Sequence, residues 1–270
     1  DRVDMLAHHL VEAITYGRAA GGDVADLVPR ASAALREAGA RAWALGTAAS
    51  ALVFFERARD VDPAAGEDPY LLLRLGRALA LTRAQGAEEL DRAVALLADS
   101  DPATAAEAEI TRGEVVWQRG DQKSAFTYFD RAATRVEDLP VSPQKAFVVG
   151  QAARFLSLAG RDRESLELSE RAIVMAEELG DRPLLGDALN TRGVSRSHLG
   201  EPGWDADLER SIEIALETNS IFVLRAFINL GSTLAATAGD IPRSEKVLRE
   251  GLTLAETLGV RLGLRWFRSN

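Results

Sequence analysis

The chain has 270 residues, of which 47% are hydrophobic and 27% charged, and its formal net charge is -9. That acidic balance argues against direct binding of nucleic acid or of anionic membrane, because neutralising phosphates needs a concentrated basic face. There is no cysteine, which excludes disulfides, thiolate metal sites and thiol nucleophiles together.

Asp4 to Ala20 predicts an amphipathic helix with Leu6, Leu10, Ala13, Ile14 and Gly17 on one side. Gly21-Gly22-Asp23 ends it, so residues 1–23 read as a separate N-terminal helix. A second helix is expected from Val24 to Ala38, with Pro29 in its early turns, either kinking it or marking its real first turn. The interval from Gly39 to Ala51, Phe55 and Ala58 then reappears from Gly113 to Ala125, Phe129 and Ala132. Small residues at fixed offsets on two apolar-periodic segments describe antiparallel helices whose backbones approach closely.

The unit recurs. Its turn glycines are Gly120, Gly160, Gly200 and Gly239, a period of about 40 residues, in the range of helical arrays. The late small residue of each second helix recurs in phase as Ala93, Ala132, Ala172, Ser211 and Gly251. Asp68-Pro69, Asp101-Pro102 and Ser142-Pro143 each place an N-cap before a proline at the first helical position. The unit around Gly76, Gly86, Leu90 and Ala93 runs short, which predicts a tighter turn there or a local irregularity in the superhelix. Glu201-Pro202-Gly203-Trp204 is a modified turn. Residues 24–259 therefore read as an array of about six helix pairs, preceded by the N-terminal helix. Residues 260–270 read as the start of a further helix in which Trp266 and Phe267 want burial, either cut from a longer protein or forming a C-terminal cap helix. No β-strand is required anywhere.

The pattern resembles the tetratricopeptide repeat (TPR), carried by Gly39/Ala51/Phe55/Ala58/Pro63 and by Gly113/Ala125/Phe129/Ala132. The resemblance implies an all-α, right-handed α-solenoid of TPR-like helix pairs. It departs from the family where the first-helix aromatic is expected, at Leu35 and Glu109. Long second helices, ending in Ala176-Glu177-Glu178-Leu179-Gly180 and Ala255-Glu256-Thr257-Leu258-Gly259, account for the extended period. This variant looks like the TPR regions of large bacterial signalling proteins of the signal-transduction ATPase, nucleotide-cyclase and LuxR types. Leu6 to Ala13 is similar to the helix that joins ATPase and array in such proteins.

Catalytic chemistry is not in view. No phosphate-binding glycine motif occurs, and adjacent His8 and His9 point in different directions on a helix, so they cannot chelate as an i, i+4 pair. The expectation is no catalytic residue, no metal and no cofactor. The longest uncharged stretch, Ala42 to Phe55, is too short to span a bilayer.

In TPR arrays the first helices line the inner, concave face. Projecting them inward gives Arg74 and Arg77, Trp117, Gln151 and Arg154, Asn190, Arg225 and Asn229 as candidate ligand contacts. Trp43 shares the position of Trp117, four residues after the first-helix glycine. Opposed to this stands a purely structural role, in which the arginines neutralise neighbouring carboxylates and Trp117 is buried between repeats. Gly150 and Thr191 interrupt the Lys/Asn/Arg set with which chaperone-binding TPR domains clamp a terminal carboxylate, so that ligand is not expected.

The leading functional expectation is a cytoplasmic, non-enzymatic interaction or sensor module of a larger bacterial signalling or transcription-regulatory protein. It would bind a protein, peptide or effector on the concave face. The alternative is a homotypic assembly scaffold, self-associating through terminal helices.

Overall fold

The structure, a computed structural model, describes residues 2–220 and 222–258. Its helices are α1 (Arg2–Ala19), α2 (Leu27–Ala44), α3 (Ala48–Val61), α4 (Pro69–Arg83), α5 (Ala87–Leu97), α6 (Pro102–Gln118) and α7 (Gln122–Val136). They continue with α8 (Pro143–Leu158), α9 (Asp162–Leu179), α10 (Arg182–Leu199), α11 (Trp204–Glu217), α12 (Val223–Thr233) and α13 (Ile241–Leu258). A 3₁₀ turn (Pro63–Glu67) precedes α4, and a π-helical turn (Leu234–Ala238) extends α12. Among the described residues there is no β-strand. The expected further helix at 260–270, with Trp266 and Phe267, lies outside the described residues.

The chain forms two compact units, one up to Leu139 and one from Pro140. In the first, α2 packs on α3, α4 on α5 and α6 on α7; in the second, α8 packs on α9, α10 on α11 and α12 on α13. Short connections between neighbouring packed helices make each pair an antiparallel hairpin.

One contact closes these pairs, and it explains the spacing read from the sequence. A Cβ on Gly39 would lie 2.4 Å from the ring of Phe55, and one on Gly113 would lie 2.5 Å from that of Phe129. Gly76 seats Leu90, Gly193 seats Leu208 and Gly231 seats Leu248 in the same manner. The large residue of the second helix thus enters a hole left by the missing side chain of the first. Burying each such apolar residue contributes about 1.5–3 kcal/mol. Between α8 and α9 the sizes change: Ala153 takes the glycine's place, and the matching position on α9 holds Ser169, also fully buried. Ala125, Ala132 and Ala172 are buried as the packing requires.

The turns follow the chemistry of their residues. Gly120, Gly160, Gly200 and Gly239 all have positive φ, between 65° and 88°, a region that glycine enters without a steric cost. The carboxylate of Asp68 accepts from the amides of Tyr70 and Leu71, Asp101 from Thr104 and Asp121 from Ser124, while Ser142 Oγ accepts from Lys145. In the short unit, Ala84 (φ 53°) and Gly86 (φ 97°) both adopt left-handed backbone, and Gly86 rests against the Gly76 backbone.

Two readings are corrected. On α1 the buried stripe is Ala7, Leu10 and Ile14, whereas Leu6 is 50% exposed and Ala13 is also exposed. Gly17 does face the interior, where Val24 fills the space its side chain would take. The second helix begins at Leu27 and continues to Ala44, because Pro29 belongs to its first turn and Gly39 is a packing seat within it. The first-helix aromatic, absent at Leu35 and Glu109, is present on α12, where Phe227 stands four residues before Gly231.

At the same position on α6 stands Glu109, 1% exposed, whose carboxylate accepts from Arg131 and Arg135 of α7. A buried carboxylate is tolerated only when such partners satisfy it.

Candidate functional site

The sequence-derived site residues fall in both units, and each set is described within its own unit. In the first, Arg74 and Arg77 lie on one face of α4, one helical turn apart, facing Trp43 of α2. The Arg77 guanidinium carbon sits 5.1 Å from the centre of the Trp43 ring, a cation–π contact. Arg77 also forms an ion pair with Glu107 of α6, whose side chain is only 10% exposed. Arg77 is therefore fixed from both sides.

Arg74 is different. It is exposed, and among the described residues no carboxylate or other acceptor pairs with it. With Ala40, Trp43, Phe55 and Arg77 it lines a cleft of about 210 Å³. That is smaller than the usual small-molecule pocket of about 300–1,000 Å³. It offers apolar and aromatic walls with a cation at its edge. Above this cleft on the same helices, Arg36 of α2 donates to Asp68 at 2.7 Å. Burial disfavours the Asp68 charge, but Arg36 and the first amides of α4 outweigh it and hold this carboxyl below its ordinary range.

Trp117 has the same offset from its glycine as Trp43 but a different partner. It is half-buried, with its ring edge-on to Phe126 of α7 at 6.0 Å between centroids. Phe126 stands thirteen residues after Gly113, where the first pair has the smaller Leu52 after Gly39. The larger neighbour holds Trp117 within its own helix pair.

In the second unit the polar residues find one another. Gln151 of α8, 4% exposed, donates to Asp187 of α10 at 2.9 Å and accepts from Arg154 at 3.1 Å. Arg154 also lies over the ring of Phe155, 4.8 Å from its centre. Asp187 forms an ion pair with Arg225 of α12. Asn229 Nδ2 of α12 donates to the side-chain Oδ1 of Asn190, a residue 3% exposed, at 2.6 Å. These bonds tie α8, α10 and α12 together along one line. Among the described residues the Asn190 amide nitrogen is buried without an acceptor, beside a cavity of about 10 Å³ lined in part by Asp187, Phe222 and Arg225. That space is at the lower limit for a single water.

The structure thus brings together Arg74 and Arg77 in one cluster and Gln151, Arg154, Asn190 and Asn229 in another, with Trp117 in neither. Sequence reasoning missed the anchoring carboxylates Glu107 and Asp187. Their signal was present as acidic residues on first helices, but acidic residues are common in this chain and carry no mark of their partner. His8 and His9 are exposed, with ring centroids 5.6 Å apart. Among the described residues no group of three or more His, Asp or Glu side chains could hold a metal ion.

Solved structures similar to this chain are helical repeat proteins. A Rap protein complexed with Competence and Sporulation Factor is 13% identical with a TM-score of 0.65, covering 99% of this chain and 80% of that one. BtubC from P. vanneervenii is 15% identical with a TM-score of 0.55, covering 80% of this chain and 91% of its own. A Signal Transduction ATPase with Numerous Domains from Pyrococcus horikoshii, with a tetratricopeptide repeat sensor, is 12% identical with a TM-score of 0.52, covering 90% and 41% respectively. No protein-family model and no curated protein sequence matches the chain. Together with the packing of the helix pairs, these likenesses define the fold class: an all-α, TPR-like α-solenoid of stacked helix pairs. At such identities they speak for the fold alone.

Proposed function

We propose that this chain is a non-enzymatic protein-interaction module, and that its docking site is the cleft between α2 and α4. One observation carries the reading: Trp43, stacked with Arg77, borders a cleft whose edge is formed by an exposed arginine, Arg74, that has no partner among the described residues. A rigid aromatic surface next to a free donor is the combination that anchors peptides at modest entropic cost. Gln151, Arg154, Asn190 and Asn229 serve in this reading as the frame of the second unit's face, their side chains already engaged with neighbouring helices.

The finer setting is a sensor role within a larger bacterial, cytoplasmic signalling or transcription-regulatory protein. In support, one similar structure is a Rap protein complexed with a sporulation factor and another has a tetratricopeptide repeat sensor. No described helix is long and apolar enough to cross a membrane. The test is selection of random dodecapeptides displayed on phage against the purified chain and against its Trp43→Ala variant. Peptides that bind the first and not the second support the reading; selection that never depends on Trp43 contradicts it.

A second reading, self-assembly through a terminal helix, is favoured by the outer side of α1. Met5, Leu6 and Tyr16 are 58%, 50% and 69% exposed there. Sedimentation equilibrium tests it: association that Tyr16→Glu abolishes supports a scaffold, and a monomer at all concentrations excludes this route.

A further inference from the structure

We infer that the α2–α4 cleft recognises an acidic segment of a protein partner, seating one carboxylate side chain against Trp43 and binding it through Arg74. The inference rests on the reading of that cleft as the docking site and adds the chemistry of its occupant. The two arginines of the cleft are not equivalent. Arg77 is neutralised by Glu107 and held over Trp43, so it shapes the wall. Arg74, one turn earlier on α4, is exposed with no carboxylate beside it among the described residues. In a chain of net charge -9, where guanidinium groups elsewhere are mostly paired, an unpaired one at the mouth of an aromatic cleft is complementary to an incoming anion. Its planar donor fork matches a carboxylate in bidentate geometry.

The size of the site narrows the occupant further. About 210 Å³ accommodates a side chain and not a drug-sized ligand. Ala40, Phe55 and the Trp43 ring provide an apolar wall for the methylenes of a glutamate, with its carboxylate directed outward to Arg74. A basic or nucleic-acid partner is disfavoured by the same arrangement. The surrounding chain is acidic, and among the described residues Arg74 alone is a free cation at this mouth.

The experiment uses the whole chain and synthetic peptides derived from the phage selection, each prepared with its acidic residues intact and with Glu→Gln and Asp→Asn replacements. Affinities are measured by fluorescence anisotropy for the wild-type chain, Arg74→Ala and Arg74→Glu. The acidic peptide is expected to bind wild type about tenfold or more tightly than its amide counterpart. Arg74→Ala should remove that difference without weakening the amide peptide further, and Arg74→Glu should reverse it. Because Arg74 is exposed and unpaired, these variants fold like the wild type, which a thermal melt checks. Trp43-dependent binding with no preference for acidic peptides would overturn this inference and leave the docking site standing. Absence of any Trp43-dependent binding would overturn both.

Discussion

The two units place polar side chains on equivalent helices and use them differently. In the second unit, Gln151, Asp187, Arg225, Asn190 and Asn229 bond to one another from α8 through α10 to α12. In the first, Arg36–Asp68 and Arg77–Glu107 make comparable links, but Arg74 is left out beside Trp43. A face whose polar side chains are mostly bonded to one another, with the buried Asn190 amide nitrogen the exception, gains rigidity and has little to offer a partner. A face with one exposed, unsatisfied cation over an aromatic surface gives up that bond and retains a recognition element. Mutations of the bonded polar residues in the second unit should therefore act on stability, whereas those at Arg74 and Trp43 in the first should act on binding.

The largest effect is expected at Asp187. Its replacement by alanine leaves the guanidinium of Arg225 in a mostly buried position without its counter-ion and should destabilise by about 3 kcal/mol, since Asp187 and Arg225 are only 12% and 20% exposed. Urea denaturation measures this, and a loss below about 1 kcal/mol would mean that the second face is not held by its charges.

Packing comes next. Ala132, fully buried where α7 meets α6, should cost about 1–3 kcal/mol when enlarged to leucine. Glu109 separates polarity from volume in the same unit. Glu109→Ala should destabilise by about 2–3 kcal/mol through the cavity it leaves. Glu109→Leu should stay within about 1 kcal/mol of the wild type, because leucine fills the equivalent position at Leu35 and Leu72 and the Arg131 side chain is 56% exposed to water.

Acid should weaken the first unit through Asp68. Its carboxyl is held below the ordinary range in the folded state, against its own burial, by Arg36 and the α4 amides. A group depressed in this way adds stability above its unfolded pKa of about 4 and loses it as pH falls through the folded value. Asp68→Asn keeps an N-cap but should flatten the pH dependence below about pH 4, measured as urea midpoints across that window. An unchanged slope would show that the Arg36–Asp68 pair is too well solvated to matter. The smallest effect on stability belongs to Arg74→Ala, which should lie within about 0.5 kcal/mol of the wild type.

Much of the fold is legible because it rests on residue size at fixed spacing. Gly39 with Phe55 and Gly113 with Phe129 announce a hole and the ring that fills it, and no other chain segment needs to be known to read them. The turn glycines and the Asp-Pro caps are equally local. The site is less legible because its meaning depends on side chains from other helices. Trp43 and Trp117 share one sequence signature, yet Arg77 of α4 meets the first and Phe126 of α7 the second. Arg74 and Arg77 look alike in the sequence, and only Glu107, on another helix, distinguishes them. Leu6 misleads for a related reason: a helix with apolar residues on more than one side does not state which side has a neighbour.

The most direct test of the contrast between the units is hydrogen–deuterium exchange of the whole chain with and without a Trp43-dependent peptide. Slower exchange is predicted in α2 and α4, around Trp43 and Arg74, with α8, α10 and α12 unchanged. Protection confined to α8, α10 and α12, around Gln151, Asn190 and Asn229, would contradict the account and place recognition on the face whose side chains mostly bond to one another.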